Sequence, residues 1–221
     1  MHIGTGMLVA AALAAPAIAY SHAPIDDRRL LAELNAARTD PPAFVRGLTQ
    51  YRSYFHAGLL RYPDLDADIA TEEGVAVVDE TITFLGHQPP LGQVSPSALL
   101  QAAAAAHVAD QARTGEEGHA GSDGSTPGQR VKRLGGGSYV AEIISYGSID
   151  ALDAIRQLIV DDGVADRGHR SIVYSGELRY AGAACGPHPR YRTICVIDLA
   201  VSPDGRYPGD SARYASRQAA R

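Results

Sequence analysis

Two histidines and a few acids lie where helix or strand packing does not account for them. His119 sits in EEGHAGSDGSTPGQR, a run of turn formers, so a loop positions its imidazole and leaves it free for chemistry. Glu142, in SYVAEIISYG, shares a strand face with Val140 and Ile144. A carboxylate on an apolar face is costly unless a cation or a hydrogen-bond donor meets it. In LIVDDGVADRGHR, Asp161 and Asp162 close a helix, where the macrodipole disfavours negative charge, and His169 follows after a short turn. Gly163 and Gly168 are the residues expected to permit that turn. Imidazole combined with carboxylate is a donor set that suits a borderline divalent cation such as zinc. No compact ligand motif of the HExxH kind accompanies it. Each residue also has an ordinary reading, as a surface loop histidine, an edge-strand carboxylate, a solvated helix end or a satisfied histidine. A serine hydrolase built on Ser122 or Ser125 with a histidine is the other chemical class, and no GxSxG elbow supports it.

The elements that must position these residues are punctuated clearly. Leu30, Leu31, Leu34 and Ala37 recur at helical spacing from Asp26 to Arg38, before Pro41 and Pro42. From Arg46 to Asp68 the pattern predicts a short helix and loop. Thr71 can cap a helix carrying Val75, Val78, Ile82 and Leu85, with Gly86 at its end. Ser95 and Pro96 mark the start of an alanine-rich helix that contains His107 and stops at Gly115. A fourth helix, capped by Ser148 or Asp150, buries Leu152, Ile155, Leu158 and Ile159 and ends at Gly163. Strands are predicted over Tyr139 to Tyr146, Leu178 to Cys185 and Arg192 to Val201. Few strands flanked by helices imply a helix, sheet, helix sandwich.

Composition narrows the function classes. The 221 residues suit one domain with disordered ends, and a net charge of -5 offers no basic face for nucleic acid. Lys132 is the only lysine, which argues against Schiff-base chemistry. Residues 1–19 read as a signal peptide cut after Ala19, although its start lacks Lys and Arg. The apolar stretch is shorter than the ~20 residues that span a bilayer, so no transmembrane segment is expected in the mature chain. Export would place Cys185 and Cys195 on one face of a hairpin in an oxidising compartment, where either a cross-strand disulfide or two buried thiols fits. Residues 203–221 lack the apolar content to order themselves and read as a disordered tail.

Taken in order, LNAARTDPPAF, FLGHQPPL, AAAAAHVADQ, GHAGSDGSTPGQR, EIISYG, LIVDDGVADRGHR and YAGAACGPHPRYRTICVIDLA resemble the CAP superfamily. That superfamily groups cysteine-rich secretory proteins, antigen 5 and plant pathogenesis-related 1 proteins, and the likeness is to its bacterial secreted, SCP-like branch. The resemblance spans residues 27–201. It implies an α+β, three-layer α/β/α sandwich with a small, mainly antiparallel sheet over residues 24–202. It also implies a cavity in which His119 and His169 bind zinc or another divalent metal, with Glu142 and Asp162 as its acids. A shift of one residue would put Asp161 in the place of Asp162. Ile143 stands where the family carries Asn, and RGHR stands where many members carry HYTQ. Fold and cavity transfer from such a likeness better than activity does. The expected function is an exported, secreted or periplasmic binding module whose ligand is a lipid, a peptide or an envelope component. The alternative is a metal-dependent hydrolase with Glu142 as general base.

Overall fold

The computed structural model describes residues 24–63, 68–207 and 209. The segment read as a signal peptide lies outside them. In chain order the elements are α1 (Asp27–Thr39), α2 (Pro41–Arg52), β1 (Phe55–His56), β2 (Leu59–Leu60), β3 (Ile69–Ala70), α3 (Val75–His87), β4 (Ser95–Pro96), α4 (Ala98–Thr114), α5 (Pro127–Arg133), β5 (Ala141–Tyr146), α6 (Ala151–Val160), α7 (Gly168–Val173), β6 (Tyr180–His188) and β7 (Arg192–Ala200). The main sheet runs β4-β6-β7-β5, with β4 parallel to β6 and the other pairings antiparallel. A small antiparallel sheet joins β1, β2 and β3.

Strand alternation makes the three layers. Cys195, Ile197 and Leu199 of β7 face a core shared with Leu30 and Leu34 of α1, Val78 of α3 and Ile155 of α6. Ile194, Val196 and Ala200 face Ala103, Ala104 and Val108 of α4. Close approach of α4 to the sheet depends on Gly182, because a Cβ there would overlap the backbone of Leu100 and Gln101. The expected α/β/α sandwich is therefore the observed architecture. Cys185 and Cys195 stand directly opposite one another in the β6–β7 ladder and are disulfide-bonded.

Several boundaries differ from expectation, each for a local reason. Pro41 and Pro42 end α1 and also start α2, because proline suits the first helical turn and the Asp40 side chain accepts from the Ala43 N–H. Thr71 caps nothing: α3 begins at Val75 behind Gly74, and the helix runs through Gly86 to His87. Ser95 and Pro96 pair with β6, so the cap of α4 is Ser97. The loop-like TPGQR holds the start of α5, opened by a reciprocal capping box between Thr126 and Gln129. The segment read as a disordered tail begins as ordered chain. Ser97 donates to the Pro203 carbonyl, Asp204 and Gly205 accept from Gly137 and Tyr139, and the Tyr139 and Tyr207 rings meet edge to face.

Candidate functional site

The two histidines approach from opposite layers and meet beside β5, the outer strand of the main sheet, with ring centres 6.4 Å apart and planes 42° apart. Each imidazole is turned the same way. His119 Nδ1 lies 2.9 Å from Glu142 Oε1, and His169 Nδ1 lies 2.6 Å from Asp161 Oδ1. An ionised carboxylate only accepts, so Nδ1 is the donor in each pair and Nε2 is the nitrogen turned away from the acid. This is the arrangement in which a carboxylate orients a metal-binding histidine.

On the first side, β5 places Glu142 on the α4-facing side with Ile144, as its strand face predicted, and leaves it 6% exposed. The required cation is Arg130 of α5, whose Nη2 donates to Glu142 Oε2 at 2.5 Å. Arg130 Nη1 also donates to the carbonyls of His119 and Ser125, so one guanidinium fixes both the acid and the loop that presents the histidine. The Gly118 N–H donates to the Tyr146 hydroxyl, and the Gly118 carbonyl accepts from Gln111.

On the second side, the acid that meets His169 is Asp161 and not Asp162. Asp161 is the left-handed C-cap of α6, and that backbone turn swings its side chain towards His169 and the Arg170 N–H. The next carboxylate points elsewhere: Asp162 accepts from the N–H groups of Glu72 and Glu73 at 2.7 and 2.8 Å. Two acids at a helix C-terminus are tolerated because Arg170 donates to the carbonyls of Ile159 and Val160, while Arg167 donates to that of Asp161. Gly163 does adopt positive φ, as expected, but Gly168 does not; Arg167 takes the left-handed position that launches α7.

Three buried polar residues join this site although the sequence reading does not single them out as site residues. His107 is fully buried on α4, with Nε2 2.9 Å from the Gly118 carbonyl and 3.9 Å from Glu142 Oε1. Burial holds its pKa below the usual histidine value. Asp198 stands opposite Glu142 in the β5–β7 register, also fully buried. Burial, then the nearby Glu142 charge, push its pKa up to about 8. Arg130 is the third. Asp198 interrupts the apolar run ICVIDLAV just as Glu142 interrupts its own strand, so the same reasoning finds it.

Neither candidate serine has a histidine partner among the described residues. Ser122 donates to Asp110 and accepts from Arg113, while Ser125 is held through its backbone, its N–H donating to Asp123 and its carbonyl accepting from Arg130. Glu142 has both oxygens in hydrogen bonds, Oε1 with His119 and Oε2 with Arg130, and each oxygen keeps a further acceptor site.

The donor set can be tested against one ion. Among the described residues, no group of three or more His, Cys, Asp or Glu side chains forms a metal-holding cluster. With both acids engaged on Nδ1, two imidazole nitrogens remain. An ion bound end-on stands roughly 3 Å from a ring centre, given a metal–nitrogen bond of ~2.0–2.1 Å. The 6.4 Å spacing is about twice that, the separation of two imidazole nitrogens on opposite sides of an ion; a tetrahedral angle at the ion would bring the ring centres to roughly 5 Å. A cavity of about 430 Å³ opens beside His169, Asp161 and Asp162 and extends between α6, β5 and the small sheet, with Leu60, Ile144 and Leu158 in its walls.

A family model described as CAP, the cysteine-rich secretory protein family, matches residues 33–199. No curated protein matches the sequence. Among solved structures, the chain is similar to an outer surface protein from Borrelia burgdorferi. The TM-score is 0.41 at 15% identity, covering 49% of this chain and 77% of that one. No helix among the described residues is long and apolar enough to cross a membrane. The family match takes in both histidines, both of their carboxylate partners and most of the sandwich, and the chain belongs to the CAP, cysteine-rich secretory protein family.

Proposed function

We propose that this chain is an exported binding protein in which His119 and His169 hold one divalent ion, with zinc the best match, at the mouth of a ligand cavity. The observation that carries the reading is the matched pair of Nδ1–carboxylate contacts, at 2.9 and 2.6 Å, which leaves two Nε2 lone pairs on rings 6.4 Å apart. Bound there, a zinc ion would supply a Lewis-acidic centre with open positions, able to take a ligand oxygen or nitrogen. The protein's own contribution is orientation. Glu142 and Asp161 fix the tautomers and offset the charge of the ion, while Arg130 and the Arg170 N–H hold the acids. Export is supported by the apolar segment of residues 1–19 and by the Cys185–Cys195 disulfide, a bond that persists in oxidising compartments. A secreted or periplasmic setting would bring the cavity to lipids, peptides or envelope components.

Equilibrium dialysis with elemental analysis tests the metal assignment. The expected result is about one zinc per chain, lost in the double variant His119→Ala, His169→Ala while its circular dichroism is retained. Equal uptake by the folded double variant would refute the assignment.

A further inference from the structure

The cavity beside His169 has a chemical bias. Its body is apolar, walled by Leu60, Ile69, Ile144, Ile149 and Leu158, and its volume of about 430 Å³ lies in the range of small-molecule sites. Three carboxylates line it, Asp153 in the first turn of α6 and Asp161 and Asp162 together at the other end of that helix, and no Arg or Lys does among the described residues. Asp153 is neutralised from behind by Arg156 at 3.2 Å. Asp161 and Asp162 are met by an imidazole and by backbone N–H groups, with no guanidinium or ammonium against either carboxylate among the described residues. Thr71, also lining the cavity, has a hydroxyl shielded from water and without a hydrogen-bond partner.

We propose that this cavity selects a ligand with an aliphatic body and a cationic head, an alkylammonium in its simplest form, and discriminates against the matching fatty carboxylate. An anion placed there would lose its water facing two carboxylates that lack a cationic side-chain partner, which is the repulsive half of specificity. A cation gains from these charges, from Asp162 above all because Asp161 is already turned to the His169 imidazole, while its chain covers the aliphatic wall and removes apolar area from water. The proposal rests on reading the cavity as the ligand site, but it does not require the metal.

Isothermal titration of metal-free protein with decylammonium and decanoate, both below their micelle-forming concentrations, tests it. Decylammonium should bind at least tenfold more tightly than decanoate. Asp162→Asn should shrink that preference, and Ala70→Trp, placed on an exposed strand at the cavity wall, should abolish binding of the amine. Zinc uptake by Ala70→Trp should stay at the wild-type level, which separates this proposal from the metal assignment. Equal binding of the two chains, tighter binding of decanoate, no binding of either, or full amine binding by Ala70→Trp would each overturn it.

Discussion

The two histidine–carboxylate pairs have nearly the same geometry, but different parts of the molecule enforce them. Glu142 is held by the sheet and by buried charge, with Arg130, His107 and Asp198 packed around it. Asp161 is held by a helix end, where a left-handed cap residue, the Arg170 N–H and two arginines on the terminal carbonyls set its direction. One half therefore depends on buried charge pairing and the other on backbone geometry at a helix end, although both acids are buried, Glu142 at 6% exposure and Asp161 at 2%. The two should respond differently to pH, to charge removal and to isosteric substitution.

The largest difference is expected in pH dependence. The folded-state pKa of Asp198 is raised to about 8, so the native chain holds a proton that the unfolded chain releases. Its stabilising contribution is complete below the unfolded carboxylate value of ~4 and is lost as pH rises through about 8. Asp198→Asn should therefore gain on the wild type by up to about 1.4 kcal/mol per pH unit across that window, measured by urea unfolding at stepped pH. Parallel curves for the two proteins would show that the proton is absent.

Charge removal should separate the halves next. Arg130→Met leaves Glu142 buried without its cation and should destabilise the fold by ~3–5 kcal/mol in denaturant unfolding. Arg167→Met, which loses pairs to the partly exposed Glu73 and Glu80, should cost only ~1 kcal/mol or less for those pairs, plus its carbonyl contacts. Equal costs would show that the sheet side is not the buried one in energetic terms. The finest test distinguishes adjacent acids: Asp161→Asn should weaken zinc binding about 10–100-fold, as loss of a histidine-orienting carboxylate does. Asp162→Asn should leave zinc affinity unchanged and cost about 1 kcal/mol of stability, the scale of a lost capping interaction. Competition titration with a chromogenic chelator reads the first effect, and urea unfolding reads the second.

What the sequence made legible follows the same division. Glu142 is visible because strand alternation gives every residue a face, and an acid between Val140 and Ile144 contradicts its own face. The layer order is visible for a related reason: helical and strand periodicities encode which side is buried. The choice between Asp161 and Asp162 is not visible in this way, since both stand at a helix end and a single positive φ decides which one turns inward. Arg130 is hidden because TPGQR carries both loop signals and a capping box, and its role depends on contact with a strand residue twelve positions away. Thr71 and Gly86 are suitable caps by type, but Asp162 takes the N–H groups ahead of α3, and its C-terminal end extends past the glycine.

Whether one divalent ion joins the two imidazoles is read out by diffraction from a zinc-soaked crystal at the zinc absorption edge. A single anomalous peak is expected at bonding distance from both Nε2 atoms, with Glu142 and Asp161 still on the Nδ1 atoms. A zinc peak bound by the carboxylates with the imidazoles turned away, or no peak between the rings at saturating zinc, would contradict it.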